Sequence, residues 1–268
     1  MRRKQKITGW RKITTATWGQ PNDPQIYGDV HVDAEAVLSF IREARAKSDV
    51  KLTVTHMVGK ALAHALSENP DLNIRLYRNR FIQRETVDVF FIVSAGEGDD
   101  LSGVKVERAD EKPVIEIAQE LAARAQRIRE EEDVEFGKTK RMLSRTPVRL
   151  LGLSLRLAAW LAQDLDLDLK KYGLPRQAFG SVMVSSVGMF GIEHAYAPLS
   201  PYYRVPFLAL VGGVAERPSV VDGQVVARPM FTITGTLDHR YLDGFHAARL
   251  MRSVQEYLAD PRKFEPGV

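Results

Sequence analysis

The residues best suited to acid–base chemistry lie near the end of the chain, in the segment 238–244. A β-type run over 230–237 precedes this segment, and a helical pattern over 245–258 follows it. His239 therefore lies at a strand-to-helix junction, and histidine is the side chain whose unperturbed pKa is nearest neutral pH, so it can accept and return a proton. Asp243 lies four residues later, near the N-terminus of the predicted helix, where negative charge is favoured. The pair predicts a general base with a carboxylate beside it.

Two other interpretations apply to the same junction. One is a surface turn whose histidine makes ordinary hydrogen bonds. The other is a metal site, for which His246 is the only obvious third ligand after His239 and Asp243. Because no third ligand stands out and the chain has no cysteine, we expect no metal ion here. The other histidines lack a comparable context and are interpreted as structural or surface residues: His31, His56, His64, His194 and His246.

The elements around this junction follow from hydrophobic period and turn residues. Alternating apolar and polar residues predict strands, and apolar residues three and four apart predict amphipathic helices. Asp33 and Thr53 are expected to cap two helices, and Asp222-Gly223 is a strong hairpin signal. The predicted strands are 26–32, 73–77, 81–82, 87–93, 104–106, 182–187, 207–211, 220–221, 225–226 and 230–237, and the predicted helices are 33–46, 53–67, 113–132 and 245–258.

Three segments resemble one family, in the family's order and spacing. His-x-x-x-Asp-Gly at 239–244 resembles the signature of the chloramphenicol acetyltransferase superfamily, which includes the catalytic domain of dihydrolipoamide acyltransferases. The segment 180–191 resembles the serine-bearing strand and Gly-Met-Phe-Gly turn of the dihydrolipoamide branch, and Gly-Trp-Arg-Lys at 9–12 resembles the Arg-Lys near the start of that domain. The resemblance covers nearly the whole chain except about 132–178. It implies an α/β two-layer sandwich, with a mixed sheet and helices packed against it.

The resemblance also implies a role for each residue of the histidine motif. His239 would be the general base that takes the proton of the coenzyme A or acceptor thiol. Such a base matters because a thiol of pKa near 8.5 is only a few per cent ionised at pH 7. Asp243 would pair with Arg11 and hold the histidine loop in shape, and Gly244 would support that loop.

A strand serine is the candidate donor to the tetrahedral oxyanion. Ser185 and Ser186 point to opposite faces of the predicted strand, so the pattern alone does not choose between them. The resemblance selects Ser185. Neither serine is expected to be a nucleophile, because the surrounding sequence lacks a Gly-x-Ser-x-Gly elbow.

These roles predict a coenzyme A-dependent acyltransferase that moves an acyl group between a thioester and an acceptor thiol of the dihydrolipoyl type. In the family the site lies within a trimer, with histidine from one subunit and serine from its neighbour, so a homotrimer or larger trimer-based assembly is expected. The predicted core begins almost at Met1, which leaves no room for a lipoyl or subunit-binding domain. Either a separate chain carries the lipoyl group, with dehydrogenase components as further partners, or the sequence is part of a longer one, or the acceptor is something else. The residues that hold coenzyme A are not identified.

Two alternatives to thiol acylation stay open. One is acetyl transfer to the hydroxyl of a small molecule, and the other is a catalytically silent trimeric scaffold. Condensation domains of peptide synthetases carry a related histidine motif, but they are much longer and usually have a second histidine where Asp238 stands.

Composition is that of an ordinary globular protein. The 268 residues are 44% hydrophobic and 27% charged, and no composition break marks a linker, so one domain over 1–268 is expected. The net charge of +4 suits an anionic ligand but is not a nucleic-acid footprint. No signal peptide and no uncharged apolar run of membrane-spanning length is found, and cysteine is absent, so a cytoplasmic protein is expected.

Residues 134–178 depart from the family pattern and are interpreted as an atypical helical insertion. Within them, 150–161 is apolar nearly all round a helix but too short to span a bilayer. A buried or subunit-interface helix is expected there, with membrane-surface contact as the alternative.

Overall fold

A computed structural model describes residues 24–77, 80–95, 100–129, 157–161, 165, 167, 177–200 and 203–267. The strands are β1 (Gln25–Asp33), β2 (Ile74–Tyr77), β3 (Arg80–Gln83), β4 (Val89–Ala95), β5 (Asp100–Val106), β6 (Val182–Ser186), β7 (Phe207–Val211), β8 (Ala215–Val221) and β9 (Gln224–Asp238). The helices are α1 (Glu35–Lys47), α2 (Val54–Glu68), α3 (Val114–Arg129), α4 (Gly244–Ala259) and α5 (Pro261–Phe264). None of the helices in these ranges is long and apolar enough to cross a membrane.

A mixed seven-stranded sheet organises the chain. Its order is β1-β9-β7-β6-β4-β5, with β8 paired to the first half of β9, while β2 and β3 form a separate hairpin. β6 runs parallel to β4 and β7, whereas β9 runs antiparallel to β7 and β1. The chain thus places the serine strand and the strand before His239 in one sheet, with β7 between them.

The helices cover one face of this sheet. Val182 and Val184 of β6 belong to the main core, which they share with apolar residues of all four longer helices. Met183 points to the other face, where it packs with Val205 and Leu208 in a smaller cluster. This two-layer arrangement confirms the predicted α/β class and the mixed sheet with helices against it.

Local sequence signals agree with most of the observed elements, with two corrections. The strands predicted at 225–226 and 230–237 are one continuous strand, β9, and the cap predicted at Asp33 is misplaced. The buried stripe of α1 includes Val37, Phe40 and Ile41, and Asp222-Gly223 forms the predicted β8–β9 turn with φ of +51° and +78°. The predicted cap at Asp33 is wrong in detail, because Ala34 is the N-cap residue of α1. Asp33 ends β1, and its carboxylate accepts a hydrogen bond from the Glu35 amide at 2.9 Å.

The predicted insertion lies almost entirely outside the described residues. Of the apolar segment 150–161 only 157–161 is described, and it is helical. Leu157 and Trp160 are about half exposed in the single chain. The interface role of this segment therefore stays a prediction.

His56 takes part in the cap at the N-terminus of α2. The Thr53 hydroxyl accepts from the His56 amide at 3.5 Å, and His56 Nδ1 accepts from the Thr53 amide at 3.2 Å, so the two form a capping box. Burial, and secondarily the charge of Arg45, lowers the pKa of His56 to about 4. The acceptor role of Nδ1 requires the same neutral imidazole.

Acid should destabilise the fold through His56. In the unfolded chain this histidine protonates near its ordinary pKa of 6.5, so the unfolded state binds more protons than the native state between pH 6.5 and 4. Stability from this group is complete above pH 6.5 and falls by about 3 kcal/mol as the pH drops to 4. His56→Gln keeps a capping side chain but cannot titrate, so urea unfolding should show a flatter pH dependence over this window. Equal pH slopes in the wild type, His56→Gln and the exposed control His194→Gln would contradict this account.

Candidate functional site

The loop that carries His239 is fixed on its N-terminal side by Asp238. The Asp238 side chain is buried, and its carboxylate accepts from the Arg240 amide at 3.0 Å and from the Arg240 guanidinium at 2.5–3.1 Å. The Asp238 carbonyl accepts from the amides of Tyr241 and Leu242 at 2.9 and 3.2 Å. The His239 amide itself donates to the Pro24 carbonyl at 2.7 Å. The backbone on both sides of His239 is thereby held while its side chain stays exposed.

Tyr241 holds the loop in place through contacts with β2 and β3. Its side chain is buried, and its hydroxyl accepts a hydrogen bond from the Leu76 amide of β2 at 3.3 Å. Its ring lies 5.8 Å from that of Phe81 in β3. Burial raises the pKa of the Tyr241 phenol, so this group stays protonated at neutral pH. The β2–β3 hairpin therefore supports the His239 loop.

Asp243 is the N-cap residue of α4. Its Oδ1 accepts from the His246 amide at 3.0 Å and lies 2.7 Å from His246 Nδ1, while the Asp243 amide is 3.4 Å from the same nitrogen. We assign the proton to Nδ1, because the carboxylate contact is the shorter one. The hydrogen bond from the His246 amide, followed by the His246 side chain, lowers the pKa of Asp243.

The structure describes two of the three residues that were predicted to support the His239 loop. Asp243 and Gly244 are both exposed, and a Cβ added to Gly244 would meet no described atom within 4 Å. Arg11 lies outside the described residues, so its pairing with Asp243 stays a prediction. What the structure shows for Asp243 is a helix cap at the predicted helix N-terminus.

Ser185 lies near the C-terminal end of β6, partly buried, on the sheet face opposite the helices. A short 3₁₀ turn, Gly188–Phe190, follows this strand. A Cβ on Gly188 would lie 2.7 Å from the Gly213 amide nitrogen, so glycine is needed for the two backbones to approach. The turn exposes Met189 and Phe190 beside the strand that bears Ser185.

Ser185 and His239 lie at opposite ends of the sheet. In the strand register, Ser185 is paired with Leu210 of β7, and Leu210 is paired with Thr234 of β9. His239 is five residues beyond Thr234, which is about 16 Å along the strand, and two strand spacings add about 10 Å sideways. The two residues are therefore about 19 Å apart in one chain. A site that uses both must take them from two chains.

Three other histidines make contacts outside this loop. His31 and His194 are exposed, and each places Nε2 3.8 Å from the carboxylate of Asp29. His64 packs against Phe264, with ring centroids 4.7 Å apart. Within the described ranges, no three histidine or carboxylate side chains form a group that could hold a metal ion.

A protein-family model matches most of this chain. The model of the 2-oxoacid dehydrogenases acyltransferase (catalytic domain) matches residues 2–134 and 173–265. The chain belongs to this acyltransferase family. The matched ranges contain Arg11, Ser185, His239 and Asp243, and they leave 135–172 unmatched.

Relatives and solved structures agree with the acyltransferase match. The dihydrolipoyllysine-residue acetyltransferase component of the pyruvate dehydrogenase complex of Zymomonas mobilis is 26% identical over 261 residues, or 96% of this chain and 50% of that protein. The chain thus spans about half the length of this relative. Dihydrolipoamide acetyltransferase of Azotobacter vinelandii superposes with a TM-score of 0.67 at 24% identity, over 91% of this chain and 84% of that one. A cubic core of the pyruvate dehydrogenase multienzyme complex gives 0.66 at 24%, with the same coverage. Both structures show the same fold.

Proposed function

We propose that this chain transfers an acyl group between coenzyme A and the thiol of a dihydrolipoyl group, with His239 as general base. Family membership supports the reaction class. The observation that carries the assignment of the base is the geometry of the loop, where His239 is exposed between two buried anchors, Asp238 and Tyr241. A base must be accessible to substrate and held in place, and this loop meets both requirements.

The chemistry needs one proton carrier and one oxyanion donor. His239 takes the proton of the attacking thiol, and the thiolate adds to the carbonyl carbon of the thioester. The Ser185 hydroxyl donates a hydrogen bond to the tetrahedral oxyanion. When the intermediate collapses, the carbon–sulfur bond to the leaving thiolate breaks, and that thiolate recovers the proton from His239.

The assembly follows from the separation of these two residues. Because His239 and Ser185 are about 19 Å apart in one chain, the shared site lies between two copies. A trimer-based assembly supplies such interfaces, and one structure with this fold is described as a cubic core. Coenzyme A is then the thioester carrier, a lipoyl group on a separate chain is the acceptor, and dehydrogenase components are the further partners.

Asp243 is proposed to position the loop rather than to transfer protons. The Azotobacter vinelandii structure is described as a study of the catalytic role of a serine, a histidine and an asparagine, the asparagine four residues after the histidine. In this chain Asp243 stands four residues after His239, and its carboxylate caps α4. Asparagine caps helices about as well as aspartate.

The test is an assay with acetyl-CoA as donor and dihydrolipoamide as acceptor, in which chromatography measures the coenzyme A that is released. Ser185→Ala should lower kcat by about 10²–10³-fold with a smaller change in KM, because the oxyanion exists only near the transition state. Ser186→Ala, whose side chain points to the other face, is the matched control and should stay near the wild-type rate. Equal losses in the two variants would refute the role of Ser185. An intact assembly without turnover on thiol or hydroxyl acceptors would favour a silent scaffold.

A further inference from the structure

A cavity of about 210 Å³ lies between the sheet and α4, and His239 is not among the residues that line it. Its sheet wall comes from neighbouring strands and includes Gly28, Phe207, Gly235 and Leu237, and its helix wall includes Ala248 and Met251. β9 and α4, which form two of its walls, are the elements that the His239 loop joins.

Gly28 opens this cavity, and the described fold does not require a glycine there. β1 pairs with β9 through nine consecutive residue pairs, so no bulge interrupts the strand, and Gly28 is not among the glycines with positive φ. A Cβ built on Gly28 would meet no atom of the described chain within 4 Å. Its cross-strand partner Gly235 differs, because a Cβ there would lie 2.6 Å from the Phe207 ring.

A glycine inside a strand weakens the strand, and it often marks a bulge, a bend or the close approach of a ligand or of another backbone. The uninterrupted register excludes a bulge at Gly28, and its φ excludes the left-handed backbone that only glycine adopts readily. No other backbone of the described chain approaches a Cβ built on Gly28, so ligand approach is the explanation that agrees with the open space beside it.

The lining limits what can bind. Every side chain that faces the cavity is apolar, because Asp29 contributes only backbone from this side and its carboxylate accepts the Tyr196 hydroxyl at 2.8 Å on the other face. An enclosed apolar cavity of about 150 Å³ holds a benzene molecule, so this cavity of about 210 Å³, which is open to solvent at Gly28, has room for about six to eight carbon atoms.

We propose that this cavity binds a short aliphatic chain of about six carbon atoms. Such a chain has two sources, the acyl group of a thioester substrate or a free aliphatic molecule. The acyl source rests on the proposed function and agrees with the position of Leu237, two residues before His239. An occupant would also pack against α4, which begins directly after the His239 loop.

Calorimetric titration with 1-hexanol tests the cavity itself. The wild type should bind hexanol saturably, Gly28→Ala more weakly, and Gly28→Val at least tenfold more weakly than the wild type, because a larger side chain fills more of the space. Gln224→Val introduces valine at an exposed strand position and should bind like the wild type. Both Gly28 substitutions suit an extended backbone, and circular dichroism checks their folding. Equal affinity in all four proteins, or no binding by the wild type, overturns the proposal.

Turnover of hexanoyl-CoA and acetyl-CoA separates the two sources. If the acyl group occupies the cavity, Gly28→Val should lower the hexanoyl-to-acetyl ratio of kcat/KM at least tenfold, and Gln224→Val should not. Hexanol binding that is lost in Gly28→Val, together with an unchanged ratio, would overturn the acyl source and assign the cavity to a free aliphatic molecule. Failure of the wild type to use either thioester would refute the proposed function, while the titration would still decide the cavity.

Discussion

The His239→Ala variant is expected to release coenzyme A from acetyl-CoA about 10²–10⁴-fold more slowly than the wild type, with dihydrolipoamide as acceptor. The attacking thiol is mostly protonated at neutral pH, and without the imidazole no positioned group takes its proton. The measurement is kcat at saturating concentrations of both substrates. His194→Ala removes another exposed imidazole, outside the His239 loop, and should stay within about twofold of the wild type.

A loss of folding would not imitate this result. The His239 side chain is exposed, and the loop is held through Asp238 and Tyr241, so His239→Ala should keep the wild-type melting temperature and assembly size. Equal rates with and without the imidazole would identify a protein that keeps the fold for assembly alone.

Replacement of Glu265 by alanine is expected to cost about 3–5 kcal/mol of unfolding free energy, because it removes the neighbouring negative charge from a buried lysine and the acceptor from a buried hydroxyl. Glu265 is 4% exposed. It accepts from the Tyr257 hydroxyl at 2.6 Å and from the Val114 amide at 3.0 Å, and it lies 4.0 Å from Lys60 Nζ. One carboxylate thus connects α2, α3 and α4 through the segment that follows α5.

The charges of this cluster depend on one another. Burial, followed by the neighbouring Glu265, raises the pKa of Tyr257, and burial lowers the pKa of Lys60. Lys60 also donates to the carbonyls of Ala109 and Asp110, at 3.3 and 2.7 Å, so it remains hydrogen-bonded when the carboxylate is removed.

Urea unfolding at pH 7 measures the contribution of Glu265. Glu265→Gln keeps an acceptor for Tyr257 but removes the charge, so it should fall between the wild type and Glu265→Ala. Glu256→Ala removes an exposed carboxylate from α4 and should change the unfolding free energy by less than about 0.5 kcal/mol. A loss below about 1 kcal/mol for Glu265→Ala would show that the cluster contributes little to stability.

The sequence predicted elements that depend on local pattern. The stripe of Val37, Phe40 and Ile41 needs only the helical period, and the Asp222-Gly223 turn needs only residues that tolerate positive φ. Motif resemblance then placed Ser185 on a strand and His239 at a strand-to-helix junction, and the structure has both residues there.

Positions that depend on distant pairing could not be predicted in this way. The sequence between Ser185 and His239 does not reveal that β9 runs antiparallel to β7, which separates the two side chains. The anchoring role of Tyr241 depends on β2, more than 160 residues earlier. The pairing of Asp238 with Arg240 is a local contact, but no pattern in the segment 238–244 predicts it.

The capping histidines show a signal that could have been found. Thr53 and Asp243 are favoured N-cap residues, and each is followed three residues later by a histidine, His56 or His246. This is the capping-box spacing. The His56 imidazole takes the place of the usual glutamate or glutamine side chain, whereas the His246 imidazole pairs with the Asp243 carboxylate. Interpretation of these histidines as structural or surface residues missed the specific role.

The central claim is that His239 of one copy and Ser185 of another form one site, and co-expression of two inactive variants tests it most directly. His239→Ala and Ser185→Ala, produced together in equal amounts, should assemble into mixed oligomers. About one quarter of the sites then draw an intact histidine and an intact serine from different chains, so about one quarter of wild-type coenzyme A release should return. Mixed oligomers that are no more active than the two variants assembled separately would contradict the account.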